Sequence, residues 1–422
     1  MRNILMVALV LLLTASLSYG AGFGLYEFGA RSSALGGAVV AQGYDASSVF
    51  YNPAGIVNLK GAQFYGGLTL LSADVKWVGP TPIFDNTVYQ AEKKWHTPIG
   101  VYFTYSFSDK FAAGIGVTNP FGLGLEWNNE FPGRFVSRYT DLKSFYISPV
   151  VAFKPIENLS IGGGVDIVHS TVTLESNILY PEDSNPGTDV GVAHMEGSSG
   201  WAIGFSAGFN YTIQKATLGF LYRHKVENDF DGDASFTFHD DYYKNFFNNI
   251  ASSAGLVDQG VKTSITYPSF FSAGLHYQIT EQLGAELDYM YYQWDVFETL
   301  TLDFEKAENV EVKEQYKNSS QVRFGLSYAV NPQLELRAGY IYDQTPQPVE
   351  SMSPLLPDAD RNDFAFGLGY RMGNVNLDLA YMLVKFAERS TVVNGEGKNW
   401  DGFDGTYTSI AHLFMFSVGV AF

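Results

Sequence analysis

Phe414-Met415-Phe416-Ser417-Val418-Gly419-Val420-Ala421-Phe422 closes the chain with a strict period of two. Phe414, Phe416, Val418, Val420 and Phe422 fall on one face of an extended strand, and Met415, Ser417, Gly419 and Ala421 on the other. The same alternation recurs upstream. Leu334, Leu336, Ala338, Tyr340 and Tyr342 interleave with Glu335, Arg337, Gly339, Ile341 and Asp343. Leu283, Ala285, Leu287, Tyr289 and Tyr291 interleave with Glu286, Asp288, Met290 and Tyr292, and Val375, Leu377, Leu379, Tyr381 and Leu383 with Asn376, Asp378, Ala380 and Met382. One face suits lipid or a core; the other carries charge. A soluble sandwich and a membrane barrel share this period, so alternation alone leaves both open.

The two ends of the chain decide between them. Met1–Gly20 has a basic Arg2, an apolar run from Ile4 to Leu13 and small residues at Ser18 and Gly20, the layout of an export signal cleaved before Ala21. The run is too short to span a membrane as a helix, and no later stretch is long and apolar enough to do so. At the other end, a terminal aromatic after alternating apolar residues is similar to the signal by which barrel-assembly machinery recognises outer-membrane proteins, with Phe422 as its last residue. Core strands of soluble domains rarely stop at the final residue. The reading is an all-β, transmembrane antiparallel barrel in the bacterial outer membrane.

Strands are predicted near 62–78, 95–108, 110–127, 134–154, 158–178, 196–213, 215–230, 262–279, 281–301, 313–330, 332–345, 361–373, 374–388 and 408–422. That is about fourteen strands, an even number as single-chain bacterial barrels require. Tight connectors alternate with long ones, which places the tight turns and both termini on the periplasmic side. The domain plan is a signal over 1–20, an N-terminal hatch over 21–61 and the barrel over 62–422. The hatch is placed in the lumen because Phe23, Leu25, Tyr26, Phe28, Val49, Phe50 and Tyr51 need cover that a periplasmic extension would not give them.

Composition removes several functions. The chain has no cysteine, so disulfides and thiolate-bound metals are excluded, and a formal charge of −18 is wrong for nucleic acid. No Gly-x-Ser-x-Gly elbow occurs, Gly162-Gly163-Gly164 lacks the lysine of a phosphate loop, and the seven histidines are scattered. Asp229, Asp231 and Asp233 form half a calcium loop, with Ala234 where the loop needs glycine, and read as solvated carboxylates. No catalytic residue, metal or cofactor is assigned.

Ala21-Gly22-Phe23-Gly24-Leu25-Tyr26-Glu27 and Ala46-Ser47-Ser48-Val49-Phe50-Tyr51-Asn52-Pro53-Ala54-Gly55 resemble the hatch of the FadL family of outer-membrane hydrophobe transporters, with its Asn-Pro-Ala motif. Gly133-Arg134-Phe135, Ile147-Ser148-Pro149, Leu336-Arg337-Ala338-Gly339-Tyr340 and Leu356-Pro357-Asp358-Ala359-Asp360-Arg361 extend the likeness over the mature chain. Phe135 and Ser148 depart from the tyrosine and asparagine common there. The resemblance implies transport of long-chain fatty acids: capture on an outer groove, binding in the lumen, a shift of the hatch, and sideways release at a kinked third strand. An aromatic-hydrocarbon channel of the same family and a polar-solute porin are the alternatives. Partners would be hydrophobic small molecules and outer-membrane lipid.

Residues fit each step. Tyr243, Phe246, Phe247 and Ile250 share one face of a short helix capped by Asp240 in the long loop from Asp231 to Gly260, with Phe236 and Phe238 as a facing wall. Packing against a neighbouring loop is the plainer reading of that stripe. Phe23, Leu25 and Phe28 are lumenal candidates, with Arg323 and Arg337 pointing inward to a carboxylate. Against this, Glu335, Asp288 and Glu286 stand ready to neutralise both arginines. Asn52, Pro53 and Ala54 are the gating candidates, equally readable as a turn. Asn119, Pro120, Phe121 and Gly122 interrupt a strand, since Pro120 removes a ladder donor, and mark the lateral opening or the end of the span.

Overall fold

Alternating residues become a wall only if every strand finds a partner on both sides, because unpaired amides are costly in lipid. The computed structural model describes residues 22–180, 187–251 and 256–422, with the backbone alone at 248–251. The leader at 1–20 lies outside the described residues.

Fourteen strands meet that requirement. They are β1 (Ala62–Val78), β2 (Ile99–Ser108), β3 (Phe111–Thr118, resumed at Gly122–Glu126), β4 (Tyr139–Ile156), β5 (Leu159–Leu179), β6 (Asp189–Ser199 and Ala202–Ile213) and β7 (Ala216–Arg223 and Val226–Phe238). The circuit continues with β8 (Gln259–Tyr267 and Phe270–Gln278), β9 (Leu283–Tyr292 and Thr299–Phe304), β10 (Val310–Lys313 and Ser319–Ala329), β11 (Leu334–Asp343), β12 (Arg361–Met372), β13 (Val375–Phe386) and β14 (Thr406–Ala421). Each pairs antiparallel with its neighbours, and β14 closes on β1 from Gln63↔Ala421 to Val78↔Thr406. Short turns collect at one rim with Gly61 and Phe422, the periplasmic rim of such barrels.

The faces sort as the period demands. Phe414 and Phe416 are 49% and 45% exposed on the lipid side, whereas Met415 and Ser417 between them are 3% and 1% exposed. Several strands outrun the membrane, β5 among them, whose Thr171–Leu179 pair with the outer part of β6. Breaks at Gly200-Trp201 in β6, His224-Lys225 in β7, Pro268-Ser269 in β8 and 293–298 in β9 separate the spanning halves from extracellular extensions, which β10 continues. These extensions correct the predicted boundaries: β6 begins at Asp189 rather than 196, and β7 runs to Phe238 rather than 230. Phe236 and Phe238 therefore stand on a strand, not in a loop.

Residues 22–59 fill the lumen as two short helices, α1 (Ala30–Ala34) and α2 (Ser48–Tyr51), and a 3₁₀ turn at Pro53–Asn58. The wall admits this segment through glycine. A Cβ added at Gly100, Gly162, Gly208, Gly219 or Gly339 would lie less than 3.0 Å from Phe28, Ala54, Asn52, Val40 or Gly36 respectively. Five strands thus present bare backbone to the segment; its own backbone lies directly on four of them, and the Asn52 side chain rests on the fifth at Gly208.

Candidate functional site

The segment is held by polar groups as well as by fit. Glu286 and Asp288 point inward from β9 and bind its main chain: Asp288 Oδ2 accepts from Val39 N and Val40 N at 2.9 and 3.1 Å, and Glu286 Oε1 accepts from Ala41 N at 2.7 Å. Gln42 donates to the other Glu286 oxygen. Asn52 is fully buried; its Nδ2 donates to Val40 O at 2.8 Å and its Oδ1 accepts from Ala54 N at 3.2 Å, starting the 3₁₀ turn with Pro53 at its first position. Asn52, Pro53 and Ala54 therefore tie two stretches of the segment together and rest on Gly162 and Gly208 of the wall.

At Asn119-Pro120-Phe121 the third strand loses its ladder, and the lost partners are replaced. Asn119 Oδ1 accepts from Ile99 N at 2.9 Å and its Nδ2 donates to Ser144 O at 2.6 Å. Phe121 N donates to Ser144 Oγ at 2.9 Å. On the lumenal side the N-terminal segment completes the repair: Leu25 N donates to Pro120 O at 2.8 Å and Gly122 N to Phe23 O at 3.0 Å, with Gly24 bridged to Phe121. The gap and the segment share hydrogen bonds, so one cannot move without the other.

Between them lies a small cavity lined by Leu25, Tyr26, Val40, Phe50, Tyr51, Pro120, Phe121, Leu221, Phe270, Ser272, Met290, Tyr292 and Arg323. Its lining is almost wholly apolar. Above it Phe23 packs edge-on against Trp294 (4.7 Å between centroids), Phe297 (5.5 Å) and Phe121 (6.1 Å), and Phe121 stacks on Tyr267 at 4.5 Å. The sequence-predicted trio divides: Leu25 lines the cavity, Phe23 belongs to this aromatic roof, and Phe28 packs with Phe50 and Val49 in a separate cluster.

The two arginines also part company. Arg337 Nε is 2.6 Å from Glu335 and its Nη1 2.5 Å from Asp378, beside a polar vestibule at the periplasmic rim that includes Arg31, Tyr44 and Asp45. Its charge is neutralised away from the cavity. Arg323 is 1% exposed at the cavity wall, and among the described residues no carboxylate forms an ion pair with it. Gln321 Oε1 accepts from its Nε at 3.0 Å, Gly37 O from its Nη1 at 3.4 Å, and its guanidinium lies 4.3 Å from the Tyr26 ring centroid. The expected neutralisation by Glu286 and Asp288 is thus corrected: both are spent on main-chain amides, and Asp288 acts on Arg323 only at longer range. Trp294 and Tyr267 went unread, and Asp378 and Tyr26 were not singled out as site residues, because their relevance depends on strands and loops far apart in sequence.

On the outside, α3 (Asp241–Ala251) is capped by Asp240 Oδ1, which accepts from Tyr242 N and Tyr243 N at 2.9 and 3.1 Å. Phe247 is buried with Ile178, Tyr180, Val190 and Ala193, while Phe236, Phe238, Tyr243 and Phe246 form a partly exposed rim. The side chain of Ile250 lies outside the described residues.

A carboxyl sits beside the roof. Glu314 is 4% exposed, and burial, with Asp401 nearby, pushes it up to about 8 from an ordinary 4.5. Tyr316, two residues on, packs on Phe297 at 5.0 Å and Trp294 at 5.7 Å. A carboxyl raised by folding stabilises the fold fully below its unfolded value, and that stability is lost as pH rises through the folded one. Protection of the amides over 310–317, taken relative to the base-catalysed exchange of an unstructured peptide, is therefore expected to fall from about pH 5 to about pH 8, and Glu314→Gln to flatten that dependence.

A plugged outer-membrane barrel with an apolar internal cavity is a transport protein rather than an enzyme. The profile of the family described as outer membrane protein transport protein (OMPP1/FadL/TodX) matches residues 11–422, and the chain belongs to that family. It is 27% identical to outer membrane protein P1 of Haemophilus influenzae, with 98% of each chain covered. It is also 27% identical to the long-chain fatty acid transport protein of Salmonella typhi, over 94% of this chain and 96% of that one. Its fold is similar to that of a FadL homologue from Pseudomonas aeruginosa (TM-score 0.84, 22% identity, 95% and 99% covered). The toluene transporter TodX of Pseudomonas putida is a further structural neighbour (TM-score 0.73, 17% identity, 94% and 98% covered). The chain is thus an outer-membrane β-barrel that transports hydrophobic compounds.

Proposed function

We propose that the cargo is a long-chain fatty acid, bound with its chain in the apolar cavity and its carboxylate on Arg323. The single observation that carries this reading is the buried guanidinium that has no ion-pair partner among the described residues, at the wall of a greasy cavity. Such a charge gains most from an anion brought in with its own hydrocarbon. A dozen methylenes at ~0.8 kcal/mol each contribute roughly 10 kcal/mol of gross attraction, so release needs the site itself to change. The change we assign is a shift of residues 21–61 about Asn52, Pro53 and Ala54. Below, the vestibule beside Arg31, Asp45, Glu335 and Arg337 is polar and charged, a poor path for a hydrocarbon. Exit sideways at Asn119, Pro120, Phe121 and Gly122 keeps the chain in apolar surroundings. Tyr243, Phe246, Phe247 and Ile250, with Phe236 and Phe238, are assigned to first capture outside. Phe422, 76% exposed at the rim, suits recognition by the assembly machinery.

The relative from Salmonella typhi bears the name of a fatty acid transporter. The aromatic roof of Phe23, Phe121, Tyr267, Trp294 and Phe297 favours a second reading, an aromatic hydrocarbon as cargo.

Uptake of labelled palmitate and labelled toluene by cells lacking their own transporter separates the two. With Arg323→Gln, palmitate uptake is expected to fall by roughly 10- to 100-fold, the weight of a charge-assisted hydrogen bond, with toluene uptake retained. Loss of both after deletion of Asn52-Pro53-Ala54 would place the segment in the route. Palmitate uptake indifferent to Arg323 would end the fatty-acid reading.

A further inference from the structure

Tyr26 touches every part of the apparatus described above. Its ring lines the cavity and lies under the Arg323 guanidinium at 4.3 Å. Its hydroxyl donates to Asp363 Oδ2 on β12 at 2.5 Å, which anchors the segment to the barrel wall. Its carbonyl accepts from the Tyr51 hydroxyl at 2.5 Å, and Tyr51 in turn accepts from Ser32 Oγ at 3.0 Å, so α1 and α2 share the anchorage. One residue earlier, Leu25 N makes the bond to Pro120 O across the interrupted strand.

We propose that Tyr26 is the residue that couples occupancy of the cavity to release of the N-terminal segment from the gap in β3. The inference rests on the reading that acidic cargo meets Arg323. The guanidinium faces a π face, an amide oxygen and one long carbonyl bond, with the carboxylates of Asp288, Glu27 and Asp343 acting on it only at longer range. A carboxylate is a far better partner than a ring face, and an anion entering the cavity must come between or beside the two groups that line it. The guanidinium turns to the anion and the ring of Tyr26 loses its cation. Displacement of the ring strains the hydroxyl bond to Asp363, and residues 23–25 then hold the gap with two main-chain bonds only. Tyr26 acts here as a positioning residue: it senses charge on the cargo and passes the result along the backbone. A neutral hydrophobe of equal length fills the same cavity without drawing Arg323 from the ring, so it leaves the segment seated.

Hydrogen exchange of the peptide covering 22–30, measured on the purified full chain with palmitate, with hexadecanol and without ligand, tests this. Palmitate is expected to raise exchange by about thirtyfold, the factor a desolvated cation–π contact is worth, and hexadecanol to leave it unchanged. Tyr26→Leu is expected to exchange fast without ligand and to show no further rise with palmitate. Tyr26→Phe keeps the ring over Arg323 and loses the bond to Asp363 through which the ring acts; it should exchange fast without ligand and show little further rise with palmitate, which also covers the case in which the leucine variant fails to form a heat-modifiable barrel. A palmitate response that persists in Tyr26→Leu, or an equal response to hexadecanol, overturns the coupling while leaving the fatty-acid reading intact if Arg323→Gln still loses palmitate binding. Palmitate binding and response unaltered in Arg323→Gln overturn both.

Discussion

Replacing Gly219 by valine is expected to open a steady ion path through the barrel without unfolding it. A Cβ at this position of β7 would stand less than 3.0 Å from the carbonyl group of Val40 and from Ala41 Cα. Both obstacles are backbone, so no side chain can swing aside. The wall cannot yield either, because Gly219 is paired to Asn210 on one side and to Gly274 on the other. What moves is the segment, at a cost of about 1–3 kcal/mol or more for an overpacked site. Conductance of the purified protein in planar bilayers reads the result directly, and sensitivity of cells to bulky antibiotics reads it in vivo. Gly200→Val is the control, since a Cβ there meets nothing within 4 Å. Equal, silent traces from both variants would mean that the close approach does not hold the segment in place.

A second large effect is expected from Glu286→Ala with Asp288→Ala. Together the two side chains accept from three main-chain amides, those of Val39, Val40 and Ala41. Leaving buried donors without acceptors costs about 1–3 kcal/mol each, or roughly 3–9 kcal/mol in sum. Water entering from a second polar pocket, lined by Ala41, Gln42, Asn210 and His276, brings the effect toward the lower end. Trypsin cleavage at Arg31, whose side chain is 14% exposed in the seated segment, is the readout. The double alanine variant should be cut many times faster than the native chain, and Glu286→Gln with Asp288→Asn, which keeps an acceptor at each place, should fall between. Cleavage at the native rate would show that fit alone, not these carboxylates, seats the segment.

The spanning strands were legible because lipid enforces the period of two: where one side must be apolar, Leu336, Leu379, Phe414 and Phe416 announce themselves. Above the membrane that pressure ends. Water bathes the extracellular extensions, their residues mix polar and apolar on either side, and the pattern of Asp189–Ser199 or Val226–Phe238 no longer separates strand from loop. The site was legible in parts. The interruption at Pro120 is written in the residue itself, and Asn52-Pro53 reads as a capped turn. Whether Arg323 meets an acid, by contrast, depends on Glu286 and Asp288 being engaged by Val39–Ala41, a partnership across some 250 positions of sequence that no local pattern encodes. The glycines of the wall mislead in the same way. Within a strand, Gly162 or Gly339 looks like a weak point, and becomes a requirement only when the segment lies against it.

That wall also fixes an order of events. Residues 22–59 touch β2, β5, β6, β7, β9 and β11, elements spread from Gly100 to Gly339, and no partial set of those strands offers the complete seat. With Tyr26 bound to Asp363 and Ala30 to Ser417 on the last strands, residues 22–59 have no complete seat until those strands are in place. Through that interval their aromatic side chains travel uncovered through the periplasm, which makes the beginning of this chain, rather than its greasy strands alone, a natural client for holding chaperones.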